Sequence, residues 1–203
     1  MSLEIIDCDQ GSDAWFQARL GIPTASKFAD CISKGRGSQP SKIRRKYMLE
    51  LLGERMTGEI ADGFSNRHTE RGTAMEPDAR EAYALITDYE PQQIGFIRNG
   101  EKGCSPDCLV DSDGLLEIKT KLPHLHLDAM LKNELPPEHK PQVQGQIWTA
   151  EREWCDFMSY WPGLPPFIIR IYRDNKYIEE ALAPGVERFI EELLELEQKL
   201  ATA

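Results

Sequence analysis

The residues best suited to chemistry lie in one short block, 105–119, which reads S-P-D-C-L-V-D-S-D-G-L-L-E-I-K. Its second half has the pattern of a β-strand, in which every other side chain lies on the same face of the sheet. Glu117 and Lys119 would then share one face, while Leu116 and Ile118 point into the core. A carboxylate and a lysine held side by side are suited to metal-assisted hydrolysis.

A second carboxylate, Asp107, precedes a sharp turn at residues 111–114. The sequence D-S-D-G at that turn predicts a β-hairpin between two strands. If residues 111–113 form a three-residue loop, Asp107 lies opposite Glu117 across the hairpin. A shorter loop shifts the pairing by one residue and still leaves the two carboxylates as neighbours.

Carboxylates that lie this close repel each other unless a cation sits between them. Oxygen ligands without a thiolate favour Mg²⁺ or Mn²⁺, so Asp107 and Glu117 are candidate metal ligands, together with the carbonyl of Ile118. Lys119 then orients or deprotonates a water molecule and stabilises developing negative charge. Phosphodiester hydrolysis needs such help, because an enzyme must lower its barrier by about 20 kcal/mol. The plainer interpretation is a half-exposed strand with alternating polar residues, since this spacing is common by chance.

The composition is that of a globular protein. The 203 residues are enough for one domain with a substantial core, and we expect a single domain over residues 1–203. Hydrophobic residues make up 40% of the chain and charged residues 29%. No apolar run approaches the roughly 20 residues that span a bilayer, and the first residues lack the features of a secretory signal. The five cysteines are scattered and odd in number, which favours a reducing cytoplasm over a disulfide framework.

The net charge of −10 at first argues against a nucleic-acid partner. Its distribution changes that picture, because residues 31–49 contain six basic side chains and no acidic one. These are Lys34, Arg36, Lys42, Arg44, Arg45 and Lys46. A local basic patch on an acidic protein can bind the DNA backbone at one surface and repel it elsewhere. For an isolated basic run, a solvated helix face or loop is the more common explanation.

The order of apolar patterns and turns predicts an α/β fold with a central mixed β-sheet flanked by helices. The predicted strands cover residues 93–98, 104–110, 115–120, 154–161 and 167–173. The predicted helices cover residues 24–32, 66–86, 125–132 and 142–151. A further helix follows the first one and buries Ile43, Tyr47, Met48, Leu51 and Leu52. The final helix is amphipathic and starts at Pro184, with Val186, Phe189, Ile190, Leu193 and Leu200 at helical spacing. Residues 35–40, rich in glycine and ending in proline, separate the first two helices.

Three further segments contain residue types suited to binding phosphate or metal. Residues 13–26 read D-A-W-F-Q-A-R-L-G-I-P-T-A-S, residues 71–80 read R-G-T-A-M-E-P-D-A-R, and residues 141–148 read P-Q-V-Q-G-Q-I-W. With the block at 105–119, and in this order, they make the sequence resemble the phage lambda exonuclease family of YqaJ-type alkaline exonucleases, in the PD-(D/E)xK nuclease superfamily. The resemblance extends from about Gly11 to about Ile190, and the four motifs together are far more specific than any one alone.

The resemblance implies roles for residues outside the hairpin. Arg19 and Ser26 would bind the 5′-phosphate of a DNA end, since an arginine fork and a serine at a helix start both suit phosphate. Glu76 would complete the metal site from a helix, and Gln142 would lie at the active site. Gln146, four residues after Gln142, would share its helix face.

The chain departs from the family pattern at three positions. Pro77 follows Glu76, and a proline inside a helix removes a hydrogen bond, so Glu76 is expected at a bend or in a first turn. Cys108 stands where the family usually has glycine. Lys121 stands where the family often has proline.

The activity that the resemblance implies is a 5′→3′ exonuclease that digests one strand of linear double-stranded DNA and releases 5′-mononucleotides. Two Mg²⁺ ions would support it, with Mn²⁺ as a substitute. The resemblance also implies a restriction-endonuclease-like fold, a ring-shaped homotrimer around duplex DNA, and a single-strand annealing protein as partner in phage-type homologous recombination. Residues 34–46, which include Arg44 and Arg45, would then face the DNA. We expect no membrane association and a cytoplasmic location in a bacterium or a phage-infected host.

Two other functions stay open on the sequence. One is an endonuclease of the same superfamily, although end recognition by residues 13–26 would serve no purpose in internal cutting. The other is a non-catalytic DNA-end-binding module, which is disfavoured because all the catalytic candidates are present. An iron–sulfur nuclease would need four cysteines bracketing the domain. Cys104 and Cys108 lie at the hairpin instead, and no cysteine cluster follows, so this alternative is discounted. His124 and His126 lack thiolate or carboxylate partners at fixed spacing and are expected to be surface or capping residues rather than zinc ligands.

Overall fold

The computed structural model of the protein describes residues 3–35, 41–60 and 67–202, apart from the side chains of residues 67–70 and 73. The strands are β1 (Leu3–Ile6), β2 (Gln92–Gln93), β3 (Phe96–Asn99), β4 (Lys102–Cys104), β5 (Cys108–Val110), β6 (Gly114–Lys119), β7 (Trp154–Ser159) and β8 (Phe167–Tyr172). The α-helices are α1 (Asp13–Arg19), α2 (Phe28–Cys31), α3 (Lys42–Thr57), α4 (Arg67–Thr87), α5 (Pro123–Lys132), α6 (Lys140–Thr149), α7 (Asn175–Tyr177) and α8 (Ala183–Ala201). Short 3-10 turns at Ala25–Lys27 and Pro137–His139 precede α2 and α6, and a π-helical segment, Ile178–Leu182, joins α7 to α8.

The strands form two sheets. β1, β3 and β4 make a three-stranded antiparallel sheet in the order β1-β3-β4. The second sheet has five strands in the order β2-β5-β6-β7-β8, in which β6 and β7 run parallel and the other neighbours run antiparallel. Helices α3, α6 and α8 share a core with one face of this sheet, and α4 shares a core with the other. The structure confirms the predicted α/β fold with a central mixed sheet flanked by helices.

The central strand β6 is buried on both faces. Leu115 belongs to the core shared with α3, α6 and α8, whereas Leu116 and Ile118 belong to the core shared with α4. Burial on both sides explains why the strand is a nearly continuous apolar run rather than a strict alternation. Glu117 is the polar exception at 3% exposure, so its surroundings must supply hydrogen-bond donors.

The hairpin that joins β5 to β6 has the predicted three-residue loop. Val110 pairs with Gly114 across residues 111–113. The same register, continued towards the open end of the hairpin, places Asp107 opposite Glu117. The relation between the two carboxylates that the sequence predicted is therefore the one that the backbone adopts.

Two predicted strands are each split in the structure. Residues 93–98 fall into β2 and β3, which belong to different sheets, because the chain crosses from one sheet to the other at Gly95. A Cβ added at Gly95 would lie 2.3 Å from the carbonyl oxygen of Cys8, so glycine is required at this crossing. Residues 104–110 are interrupted around Pro106, which has no N–H to offer to a strand ladder. Both predictions were wrong in treating these segments as continuous.

The other predicted strands, at 115–120, 154–161 and 167–173, are confirmed as β6, β7 and β8. Strand β1 was not predicted. It has four residues, too few for an alternating pattern to distinguish a strand from a loop. Its place in the sheet is decided by pairing with β3, a contact between distant parts of the chain.

The first helices differ from their predictions in detail. Residues 24–32 form the 3-10 turn Ala25–Lys27 and the single-turn helix α2 instead of one longer helix. On α3, the expected residues Tyr47, Met48, Leu51 and Leu52 are buried. Ile43 is 58% exposed, so the prediction that it is buried is wrong. The predicted break at residues 35–40 lies outside the described residues apart from Gly35, and the predicted helix start at Asn66 lies outside them as well.

Helix α4 continues through Pro77. Glu76 therefore lies in the middle of a 21-residue helix, and the alternative of a first-turn position is wrong. Pro77 removes one hydrogen bond from the helix, and the burial of Ala79 and Tyr83 against the sheet offsets that loss.

The last helix, α8, is amphipathic as predicted. Val186, Phe189 and Leu193 are buried in the core, whereas Leu200 near the end of the helix is 47% exposed. Among the parts of the chain that the structure describes, no helix combines the length and the apolar character needed to cross a membrane.

A buried polar cluster fastens α4 to the sheet. Asp156 on β7 is 2% exposed and accepts a hydrogen bond of 2.8 Å from the hydroxyl group of Tyr83 on α4. Its two oxygens also accept from Nε and Nη2 of Arg170 on β8, each at 2.8 Å. The guanidinium group of Arg170 lies over the ring of Trp154, 3.6 Å from its centre. Because α4 carries Glu76, this cluster also fixes the position of that residue.

Replacing Asp156 by alanine should lower the free energy of unfolding by about 3 kcal/mol, because Arg170 and Tyr83 would lose their buried acceptor. Urea denaturation followed by circular dichroism measures the change. Asp113, an exposed carboxylate in the hairpin loop, is the matched control, and Asp113→Ala should change stability by less than about 0.5 kcal/mol. Equal effects of the two substitutions would show that the cluster does not fasten the helix.

Candidate active site

The carboxylate of Glu117 is held by three hydrogen-bond donors. Nε2 of Gln142 donates to Oε1 at 2.6 Å, and Nε2 of Gln146 donates to Oε2 at 2.6 Å. Nζ of Lys119, on the same strand, lies 2.5 Å from Oε1. These donors meet the requirement that a buried charge be paired and hydrogen-bonded.

Both glutamines lie on helix α6. Pro141 stands in the first turn of this helix, where the missing N–H of proline breaks no helical bond. Gln142 and Gln146 are four residues apart and therefore lie on one face. At Gly145 an added Cβ would lie 2.5 Å from Cδ2 of Phe28, so the helix packs closely against its neighbours there.

Asp107 lies across the hairpin from Glu117. Its Oδ2 accepts a hydrogen bond of 2.5 Å from the N–H of Ile118, in place of a backbone acceptor. Burial and then the negative charge of Glu117 raise the pKa of Asp107 well above its ordinary value, and Lys119 opposes them. A carboxylate in this position is stabilised by a nearby cation.

Lys119 completes this group of residues. Burial lowers the pKa of its ammonium group, but the charges of Glu117 and Asp107 outweigh burial and raise the pKa above its ordinary value. The side chain is 28% exposed, and its ammonium group contacts the carboxylate of Glu117. It can donate a hydrogen bond to a molecule bound beside the hairpin. We call Asp107, Glu117, Lys119 and Gln142 the hairpin cluster.

Glu76 approaches the hairpin cluster from helix α4. Its charge contributes to the raised pKa values of Asp107 and Lys119, which places it near both. Its Oε2 lies 3.9 Å from Nη1 of Arg80, one turn along the helix. Within the described residues, no three side chains of His, Cys, Asp or Glu converge closely enough to hold a metal ion. The structure thus brings two of the three expected carboxylates together at the hairpin and leaves Glu76 beside them.

The donor set at the hairpin nevertheless fits a hard cation. Asp107 and Glu117 offer only oxygen, the ligand type that Mg²⁺ and Mn²⁺ prefer. Burial is the main cause of the raised pKa of Asp107, and repulsion from the carboxylate of Glu117 raises that pKa further. A positive ion beside the two carboxylates relieves this repulsion. The N–H of Ile118 points towards Asp107, and in a strand the carbonyl of the same residue points to the same edge.

Arg19 and Ser26 lie in a second region, next to Tyr47. Arg19 ends helix α1, and its guanidinium group stacks on Trp15 at 3.9 Å from the ring centre. Burial lowers the pKa of Arg19, and the nearby Tyr47 opposes this. Ser26 is exposed in the 3-10 turn, with its Oγ 3.2 Å from Oγ1 of Thr24, whose backbone N–H donates to the hydroxyl oxygen of Tyr47.

The turn between these two residues is fixed at Gly21, where φ is 65°. The carboxylate of Glu54 accepts from the N–H of Gly21 at 2.8 Å, and Nε of Arg55 donates to its carbonyl oxygen at 2.7 Å. Arg55 is itself paired with Glu101 and Glu197, at 2.6 and 3.0 Å. Both backbone groups of one glycine are therefore tied to α3 and, through Arg55, to α8 and the β3–β4 turn.

The second region is joined to the residues that precede the hairpin. Nε1 of Trp15 donates to Oγ of Ser105 at 2.8 Å. Nε2 of Gln10 donates to the carbonyl oxygen of Pro106 at 2.9 Å. The residue on which Arg19 stacks thus contacts the segment that leads into Asp107.

The YqaJ-like viral recombinase domain matches residues 14–153, more than half of the chain. The protein belongs to this family. It is similar to an alkaline exonuclease from Laribacter hongkongensis, with 35% identity and a TM-score of 0.84 over 94% of this chain and 97% of that one. The complex of that exonuclease with dAMP matches at 36% identity and a TM-score of 0.84, over 93% and 96% of the two chains.

A phage-related exonuclease from Haemophilus somnus 129PT shares the fold, with a TM-score of 0.68 at 14% identity over 89% of this chain and 95% of that one. Curated protein sequences contain no match to the chain. The likeness to the Laribacter enzyme confirms the predicted family and the restriction-endonuclease-like fold.

Arg44 and Arg45, which the resemblance placed along DNA, have different surroundings in this YqaJ-like protein. Nε of Arg44 donates to the carbonyl oxygen of Cys31 at 2.9 Å, and its Nη1 lies 2.6 Å from Glu192. Its guanidinium group also lies over the ring of Phe189, 5.2 Å from the centre. Arg44 therefore ties α3 to α2 and α8 and is not at the hairpin cluster. Arg45 is exposed on α3.

Two residues were misjudged from the sequence. Gln146 was named only as a neighbour of Gln142, although its spacing of four residues was the signal that both contact one group. His126 was expected at the surface or as a cap, and this is wrong. Its Nδ1 lies 2.8 Å from Oγ of Ser159 and its Nε2 3.0 Å from the carbonyl oxygen of Pro165, so it is a buried structural residue. No local pattern indicates that burial.

His139, which directly precedes α6, is a histidine with a strongly lowered pKa. Its ring lies against Phe157, with 5.1 Å between the ring centres. Burial and then the positive charges of Lys121 and Lys119 lower the pKa of His139 to about 4, while Glu138 opposes them.

An NMR titration should find the pKa of His139 near 4 rather than at its ordinary value of 6.5. The unfolded chain then takes up this proton more readily than the folded protein does. The stability from this residue is present above the unfolded pKa and is lost as the pH falls from 6.5 towards 4. His139→Gln assigns the signal and should remove this part of the pH dependence in urea denaturation. A titration midpoint near 6.5 would contradict the prediction.

Proposed function

We propose that the protein is a metal-dependent exonuclease that digests one strand of linear double-stranded DNA from its 5′ end and releases 5′-mononucleotides. The observation that carries this proposal is the opposition of Asp107 and Glu117 across the hairpin, with Lys119 and Gln142 on the same carboxylate. Membership of the YqaJ-like family and 35% identity to an alkaline exonuclease support it. That relative's complex with dAMP agrees with a mononucleotide product.

Asp107, Glu117, Glu76 and the carbonyl of Ile118 would hold two Mg²⁺ ions, with Mn²⁺ as a substitute. When bound, the ions supply positive charge that activates water and steadies the leaving oxygen. Glu76 would join the other ligands by a shift of its side chain on α4, since its present neighbour is Arg80 at 3.9 Å.

The protein's own residues orient the reacting groups. The two amides of α6 fix the carboxylate of Glu117, and the N–H of Ile118 fixes that of Asp107, so neither ligand has to reorganise during the reaction. The ammonium group of Lys119 orients the attacking water and stabilises the charge that develops on the phosphate.

Arg19 and Ser26 would hold the 5′-phosphate of the DNA end. Stacking on Trp15 limits the conformations of the Arg19 side chain, and the guanidinium group keeps its charge at any working pH. Its donors form no hydrogen bond or ion pair with the part of the chain that the structure describes. The hydroxyl group of Ser26 lies exposed in the turn that follows.

The family resemblance extends the proposal to the assembly of the protein and to its biological setting. All 203 residues would form one domain, and three chains would form a ring around duplex DNA. A single-strand annealing protein would take up the strand that remains, in phage-type homologous recombination in the cytoplasm.

Lys119→Ala should lower the rate of mononucleotide release by at least about a hundredfold, because charge stabilisation at the phosphate is lost. The assay uses linear duplex labelled at a 5′-phosphorylated end, in Mg²⁺ and in EDTA, where the unaltered protein should also be inactive. Lys132→Ala, on the exposed face of α5, is the control and should keep full activity. An active Lys119→Ala protein would remove the hairpin cluster from the mechanism.

The same assay on covalently closed circular DNA separates the alternatives. An exonuclease leaves the circle intact, whereas an endonuclease of the superfamily nicks it. A protein that shifts linear duplex on a gel but releases no nucleotide with any metal would be an end-binding module.

Arg19→Gln should weaken the preference for 5′-phosphate over 5′-hydroxyl ends by roughly 10-fold to 100-fold, because a charge-assisted hydrogen bond is lost. The measurement is kcat/KM on two duplexes that differ only in that phosphate. Arg188, which is 77% exposed on α8, offers a matched control in Arg188→Gln. An unchanged preference in the Arg19 variant would place the end-binding site elsewhere.

A further inference from the structure

Next to the hairpin cluster lie two nitrogen groups that the mechanism above does not use. Lys121 follows β6, its side chain is 15% exposed, and its Nζ lies 3.0 Å from Oε1 of Glu138. The side chain of His139 is 16% exposed. Glu138 and His139 stand on the 3-10 turn that leads into α6, the helix that carries Gln142. Both nitrogen groups therefore border the proposed active site.

His139 has a ring nitrogen without a partner. Nε2 is buried and makes no hydrogen bond to any residue that the structure describes. Oε1 of Glu138 lies 3.8 Å away, beyond hydrogen-bonding distance. Leaving a buried polar atom unpaired is unfavourable, so the fold keeps a nitrogen for which the described residues supply no partner.

Glu138 occupies the position that an anion would take. Its Oε1 lies near both nitrogen groups, 3.0 Å from Lys121 and 3.8 Å from His139. Its side chain is 62% exposed, whereas the other two side chains are mostly buried. The acid can therefore turn away into solvent while the nitrogen groups stay in place, and an exposed ion pair resists such exchange only weakly.

A phosphate of DNA is a suitable hydrogen-bond acceptor for Lys121 and His139. Its oxygens are negatively charged and accept hydrogen bonds from lysine and imidazole, as a carboxylate does. Lys121 stands two residues after Lys119, a distance of about 7 Å in an extended chain, so a phosphate held there would lie beside the one that reacts. The family often has proline at this position, so the resemblance does not supply this role.

We propose that Lys121 and His139 form a second phosphate subsite, which binds a phosphodiester of the DNA strand beside the hairpin cluster when Glu138 releases Lys121. The inference rests on the proposed function, because it requires DNA at the hairpin. Glu138 then acts as an internal competitor of DNA for Lys121.

The first test is the affinity for linear duplex, measured by fluorescence anisotropy over a range of salt concentrations without divalent metal. Lys121→Gln should weaken binding on the order of fivefold and reduce the slope of log K against log salt by about 1, as expected for one lost phosphate contact. Lys132→Gln is the matched control, since Lys132 is also paired with a carboxylate, Asp128, at 2.7 Å. An unchanged slope in the Lys121 variant would overturn the proposal.

The second test separates competition from a general charge effect. Glu138→Gln should strengthen duplex binding, but only while Lys121 is present. In the Lys121→Gln background the same substitution should have no effect. If Glu138→Gln strengthens binding equally in both backgrounds, it acts by removing a negative charge from the surface, and the proposed competition is refuted.

The third test addresses His139. His139→Phe keeps an aromatic ring against Phe157 and removes the nitrogen, so binding should weaken about threefold with the salt slope unchanged. Thermal unfolding shows whether the variant folds, and Lys121→Gln decides the proposal if it does not. Binding as tight as that of the unaltered protein would exclude His139 from the subsite.

A last comparison identifies which phosphate is bound. Inhibition by dAMP should be the same for the unaltered protein and Lys121→Gln if the subsite holds DNA, and a change in dAMP inhibition with no change in duplex affinity would refute it. If only the subsite proposal is wrong, the variants are active nucleases with unchanged affinity for duplex DNA. An unaltered protein that neither binds nor degrades linear duplex would instead overturn both the subsite and the proposed function.

Discussion

A carboxylate at the centre of a sheet has to be surrounded by donors, and this requirement organises the region around Glu117. The amides of Gln142 and Gln146 and the ammonium group of Lys119 all point at it. Helix α6 must therefore pass close to β6, while the glycine at position 145 lets Phe28 pack tightly against the same helix. The loop that leads into this helix is brought to the hairpin by the same packing, so one buried charge determines much of what lies around the site.

Local patterns predicted the hairpin well, because strand alternation and loop length fix how Asp107 and Glu117 are related. Those patterns end at the limits of the hairpin. Glu76 is placed by the packing of a whole helix on the opposite face of the sheet, fastened there by Asp156, and no spacing in the sequence encodes that. The crossing at Gly95 was missed for the same reason, since the close contact that requires glycine there involves a residue far away in the chain.

Charge in the sequence does not reveal which basic residues are available to a ligand. Arg44 and Arg45 are adjacent and chemically identical, yet one bonds a carbonyl oxygen and a carboxylate inside the protein and the other is exposed. Arg19 resembles neither, since its guanidinium group lies on an aromatic ring that is hydrogen-bonded to Ser105. That bond connects the region expected to hold the DNA end with the segment that leads into the carboxylates proposed to bind metal. Only the tertiary structure reveals the different surroundings of these three arginines.

Asp107 takes part in the backbone as well as in the candidate chemistry, because its Oδ2 is the acceptor for the N–H of Ile118. Alanine at this position would leave that N–H without its acceptor, so the end of β6 would loosen and lost activity would be mixed with lost order. Asparagine keeps a carbonyl oxygen for the N–H and removes the negative charge. Asp107→Asn is therefore the form to choose for trapping an intact DNA complex for crystallography, since it removes the charge proposed to hold the metal and keeps the acceptor for the N–H of Ile118.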